Sequence, residues 1–194
     1  MAIKRVIQIG DPRLKNKNKA IIDFHTILLH KLIHNLQDTM NKMDLVGIAA
    51  PQIGENLHVF VTHPRNTKSR DIGKEDIFRV YINPIITYFS QEEVVIYEGC
   101  GSVAKGQLFG PVKRSKELGI EAYDEKGEKF KIETDGLLAR VIQHEYDHLF
   151  GIEFTEKITD YKKLTSQNMY KKNIRNTNET KKLLKITKLN YFKL

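Results

Sequence analysis

The stretch T-D-G-L-L-A-R-V-I-Q-H-E-Y-D-H-L-F-G, residues 134–151, constrains this chain more than any other. Thr134 or Asp135 is a helix N-cap, and Gly151 is a stop signal after about Phe150. Leu137, Leu138, Val141 and Ile142 recur at helical spacing, so the helix must bury one face in a core. His144 and His148 stand at i and i+4 and share one face. Both imidazoles can reach one ion, with Glu145 beside it as a base rather than a ligand. The alternative is an ordinary helix with two exposed histidines.

A catalytic metal commonly takes three protein ligands and keeps a further position for water. Glu153 and Glu156 follow His148 too closely to loop back with ease. Upstream lies Cys100, in Y-E-G-C-G-S-V. A thiolate is a strong ligand for Zn or Fe(II), and the flanking glycines let backbone approach a bound group. It is the only cysteine, so no disulfide staples the chain to itself. The segment L-V-G-I-A-A-P-Q-I-G, residues 45–54, reads alone as a tight packing turn. Beside a metal, its Gln52 becomes a donor to a developing oxyanion.

The remaining pattern predicts α+β rather than βαβ alternation. Leu28, Leu32, Leu36, Met40 and Met43 form a helical stripe over 26–43. Residues 57–63, 78–89 and 94–97 read as strands, with Pro84 implying a bend or an edge. Asp124-Glu125-Lys126-Gly127 is a hairpin signal between two further strands.

Charge divides the chain. From Lys157 to Leu194 eleven basic residues face two acidic ones, whereas the rest has 21 basic and 22 acidic. The expected organisation is a domain over 1–158 and a basic, partly helical tail over 159–194, with weak helix near Leu183, Leu184 and Ile186. Such a tail is a solvated end or a foot on an anionic surface such as the ribosome. The N-terminus carries no leader pattern, and no apolar run spans a membrane. The expected location is the cytoplasm, with neither a membrane nor a specific DNA site as partner.

Three stretches together resemble the peptide deformylase family: Gly47 to Gln52, Glu98 to Ser102, and Gln143 to His148. They match its G-x-G-(L/I)-A-A-P-Q, E-G-C-x-S and Q-H-E-x-D-H motifs in order and approximate spacing. I-G-D-P-R-L, from Ile9, resembles the family's opening, and the likeness runs from about Ile7 to Thr155. It implies an α+β fold with antiparallel strands packed around a central helix carrying the H-E-x-x-H motif. It implies one divalent metal on Cys100, His144 and His148, natively Fe(II) in many members, with Zn, Ni or Co as replacements. Glu145 would take a proton from the attacking water and pass it to the leaving amine. The Gln52 amide and the Gly101 N–H would hold the oxyanion. The substrate would be a nascent peptide with N-formylmethionine, and formate the product. By position, Val46, Gly47, Ile96, the stem of Glu98, Leu137 and Val141 would line the methionine pocket. Glu98 and Arg114 would pair in support of the ligands.

The chain also departs from this pattern. Leu45 replaces the first glycine of G-x-G, and Gly101 stands where bacterial members usually carry leucine. Gly101 keeps its N–H but loses a side-chain wall. Ala104 replaces a proline, and the loop from Cys100 to Arg114 is about two residues longer than usual. Its customary arginine is missing, with Gln107 or Phe109 in that region. These differences keep open a related metallohydrolase acting on another N-acyl group. The basic tail keeps open a non-catalytic ribosome- or RNA-binding relative.

Overall fold

The computed structural model describes residues 3–66 and 75–194. Among the described residues nine strands form two sheets, and every strand pair is antiparallel. The larger sheet takes β1 (Gly47–Ala49), β2 (Val59–Thr62), β3 (Arg79–Phe89), β6 (Glu117–Tyr123), β7 (Lys129–Asp135) and β9 (Leu189–Lys193), in that spatial order. The smaller takes β4 (Glu93–Gly99), β5 (Leu108–Ser115) and β8 (Thr165–Ser166).

Alternation along the strands sets the layers. On β2 and β3, Phe60 and Tyr81 face one core, while Val59, Val61, Val80 and Ile82 face the other. Helix α1 (Ile27–Lys42) covers the second face, and α2 (Gly136–His148) covers the first. Helix α2 also touches β5, so it lies between the two sheets. Ile142 and Leu138 are wholly buried there, and each such side chain contributes about 1.5–3 kcal/mol.

The stripe expected on α1 is rotated. Thr26 caps the helix as a Thr should, accepting the N–H of Leu29 at 3.1 Å. The buried face is Leu29, Leu32, Ile33, Leu36 and Met40, whereas Leu28 is 77% exposed. Successive steps of four drift about 40° each around a helix, so Leu28, two steps before Leu36, stands about 80° off its face, whereas Met43 packs partly buried against the same core.

Pro84 bends β3, as its missing N–H requires. The register shifts between Ile82 and Ile85. Asn83, at φ 49°, bonds both backbone groups of Ile21 with its amide. Asp124 organises the β6–β7 turn by accepting the N–H groups of Lys126 and Glu128, with Gly127 at φ +79°. Helix α2 stops at His148, two residues before Phe150. Its end tightens there, with the Phe150 N–H on the Asp147 carbonyl and the Gly151 N–H on that of His148.

Asp135 precedes α2 without capping it through its side chain. Its carboxylate instead accepts the N–H groups of Thr187 and Lys188 at 2.7 and 2.9 Å, and the Thr187 hydroxyl. The last segment is thereby tied to the start of the histidine helix. It continues as β9 along β7, and Ile186 enters the main core. Helices α3 (Gln167–Asn173) and α4 (Asn178–Leu184) precede it.

Candidate active site

Cys100 follows β4, and the histidines come from the last turns of α2. One ligand atom from each of Cys100, His144 and His148 lies within 4.8 Å of the others. The Cys100 Sγ is 3.3 Å from the His148 Nε2. Cys100 and His144 are hydrogen-bonded from behind, and His148 has a carboxylate nearby. The His144 Nδ1 lies 2.9 Å from the Glu98 Oε2, and the His148 Nδ1 lies 3.7 Å from the Glu153 Oε1. The Ser102 N–H and the Gln52 amide donate to the Cys100 sulfur at 3.4 and 3.2 Å. The other end of the Gln52 amide accepts the Ala49 N–H at 2.7 Å, so its orientation is fixed.

Electrostatics follow from burial. Burial pushes the Cys100 thiol up, but the charges and hydrogen bonds of His148 and His144 outweigh it and bring the pKa to about 6. Burial would raise Glu98, yet the Arg114 guanidinium and His144 hold it well below the usual carboxylate range. Glu145 is raised to about 7 by burial, against the pull of His144 and His148. Its Oε2 is buried with no hydrogen-bond partner among the described residues.

Glu98 anchors a network larger than the pair expected with Arg114. Arg114 grips Glu98 through two bonds of 2.6 and 2.9 Å and reaches Asp147 at 2.6 Å. Arg140 adds a bond to Glu98 at 2.9 Å and ties it to the carbonyls of Val112 and Val94. Arg140 and Asp147 were not singled out by sequence reasoning. An arginine inside the apolar run L-L-A-R-V-I was the available signal, because a buried charge needs partners. Gln8 was missed too. It donates to the Gly101 carbonyl at 2.9 Å and accepts the Lys105 N–H at 2.8 Å, bracing the cysteine loop from the N-terminal segment.

Every residue expected at the site except His148 lines one cavity of about 640 Å³, and His148 lies beneath it. Ile96, Leu137 and Val141 form an apolar wall beside Val46 and Gly47. The segment with Gly47 and Gln52 is not only a turn. It is β1 followed by a 3-10 turn, which carries Gln52 under the sulfur. The wall expected to be lost at Gly101 is supplied from elsewhere. A Cβ there would stand 3.4 Å from the Leu45 Cδ1, so the unusual leucine fills the space beside the unusual glycine. Phe109 stacks on Tyr170 of α3 at 4.2 Å. The outer cavity takes its cations from Lys105 and the tail.

A thiolate and two imidazoles with second carboxylates behind them suit Fe(II) or Zn. The unpartnered Glu145 oxygen fits the same reading, since a water at such an ion would give it a donor. The polypeptide deformylase family model matches residues 3–164. The peptide deformylase of Pseudothermotoga lettingae is 41% identical over 158 residues, covering 80% of this chain and 83% of that one. That of Carboxydothermus hydrogenoformans is 42% identical, covering 81% and 94%. A Met-Ala-Ser-bound class I type b peptide deformylase from Acinetobacter baumannii superposes with a TM-score of 0.76 at 31% identity, over 81% of this chain and 99% of that one. Cavity, ligand set and relatives agree: the chain belongs to the peptide deformylase family, enzymes that remove the formyl group from nascent polypeptides.

Proposed function

We propose how this deformylase divides the work among its residues. Cys100, His144 and His148 would hold one divalent cation, natively Fe(II), with Zn, Ni or Co able to replace it. A cation there supplies the Lewis acidity that makes water nucleophilic near neutral pH. Glu145 takes a proton from the attacking water as the new C–O bond forms at the formyl carbon. The Gln52 amide and the Gly101 N–H donate to the oxygen that gains charge. Glu145 then returns the proton to the methionine nitrogen as the C–N bond breaks, and formate leaves. Val46, Gly47, Ile96, the Glu98 stem, Leu137 and Val141 receive the methionine side chain.

One observation carries this assignment. The three ligand atoms lie within 4.8 Å of one another on the floor of a cavity that also holds a buried carboxylate oxygen without a partner. All of these side chains fall within residues 1–158, the unit to which we assign catalysis. The lysine-rich segment 159–194 would add contact with the ribosome, from which the substrate emerges, in the cytoplasm. Metal analysis tests the ligand assignment. The protein should bind one equivalent of Fe(II) anaerobically, and Cys100→Ala and His148→Ala should each lose it while remaining folded. Full metal content in either variant would remove that residue from the ligand set.

A further inference from the structure

The outer part of the cavity has a chemistry the reaction does not require. Five cations line it: Lys105 from the cysteine loop, and Lys171, Arg175, Lys181 and Lys185 from the tail. Among the described residues none of the five is in an ion pair. Farther along the chain, Lys188 pairs with Glu117 and Lys193 with Glu128. The cavity's own acids do not balance them. Glu98 is taken up by Arg114, Arg140 and His144, Glu145 lies at the floor, and Asp44, the one further acid lining the cavity, cannot offset five cations.

The segment presenting these cations is held at both ends. At one end Tyr170 stacks on Phe109 with the ring planes 11° apart, and the Gln167 N–H donates to the Gln107 carbonyl at 2.9 Å. At the other end Ile186 is 2% exposed and Asp135 grips Thr187 and Lys188. Unpaired like charges converging on one concavity repel, and an anionic ligand relieves that repulsion. These cations share one cavity with Cys100, His144, Glu145 and the apolar wall, so the chain they meet is the peptide that this site holds.

We propose that α3 and α4 make this cleft select formyl-peptides with Asp or Glu in the first few residues after the methionine. The inference rests on the deformylase reading and concerns the same cavity. It is tested by binding, so that hydrolysis is not needed to read it. Metal-loaded protein is titrated with the product peptides Met-Ala-Asp-Glu and Met-Ala-Lys-Lys. Turnover of their formylated forms is normalised to formyl-Met-Ala-Ser. The acidic peptide should bind about tenfold more tightly at low salt, with the gap shrinking as salt rises. The triple variant Arg175→Gln/Lys181→Gln/Lys185→Gln should lose most of that gap. Equal binding of the two peptides by the unaltered protein overturns the proposal, as does a preference that survives in the triple variant. A variant that loses ribosome binding while keeping the peptide preference would assign the cations to RNA and overturn it too. Selective binding without turnover of any formylated peptide would support charge selection and instead defeat the deformylase reading.

Discussion

A Cβ on Gly47 would stand 2.7 Å from the Oε1 of Glu145 and 2.6 Å from the Cγ1 of Val141. The strand beside the cavity therefore passes so close to the proposed base that no side chain fits between them. Gly47→Ala should displace Glu145 and lower kcat roughly hundredfold, as misplacements of about 1 Å do. The overpacking should cost only about 1–3 kcal/mol of stability. Steady-state kinetics with a melting curve separates the two. A fully active, folded Gly47→Ala would show that Glu145 tolerates displacement.

Leu45 and Gly101 should behave as a coupled pair. Gly101 does not have a positive φ, and its Cβ would meet only ordinary contacts. Gly101→Ala should therefore be neutral or stabilise by about 0.4–1 kcal/mol. Gly101→Leu should cost about 1–3 kcal/mol, because Leu45 already occupies the space. Combining it with Leu45→Gly should recover much of that loss, a coupling of roughly 0.5–3 kcal/mol in a double-mutant cycle. Strict additivity would mean that the two side chains do not share a site.

Glu98 accepts from two arginines and faces His144. Glu98→Gln keeps the shape but removes the charge that orients this ring. Metal affinity, read by competition with a chelator, should weaken about 10–100-fold with circular dichroism retained. Unchanged affinity would reduce the network to a purely structural role.

The tail's hold on α2 is also testable. Gly136 sits at φ +59°, and a Cβ there would come within 2.4 Å of the Lys185 carbonyl oxygen. Gly136→Ala should destabilise by more than about 1 kcal/mol. It should also speed proteolysis between α4 and β9. Equal cleavage rates in variant and parent would show that this approach does not hold the tail.

The parts legible in the sequence were local ones. The Asp124 turn and, to within two residues, the end of α2 each depend on residues within one turn of each other, so their chemistry sits in a short string. His144 and His148 were legible because a helix fixes what i and i+4 can share. Strand β5 was not, since Gly110 and Pro111 look like breakers in L-F-G-P-V. Its pairing with β4 from Glu93 to Gly99 overrides that preference. Strand β9 was hidden for a different reason. Its partner β7 lies some 55 residues upstream in a pairing no local pattern encodes, with Asn190 set opposite Glu133. Asp135 looked like a cap because that is what an aspartate before a helix usually does. Its real partners, Thr187 and Lys188, are far away in sequence.

The central claim is that Glu145 moves the proton at a metal held by Cys100, His144 and His148. The most direct test is formate release from formyl-Met-Ala-Ser by anaerobically prepared, Fe(II)-loaded protein and by its Glu145→Gln variant at equal metal content. The account predicts release by the parent and a loss of roughly 10²–10⁴-fold in the variant. Comparable release by both proteins would contradict it.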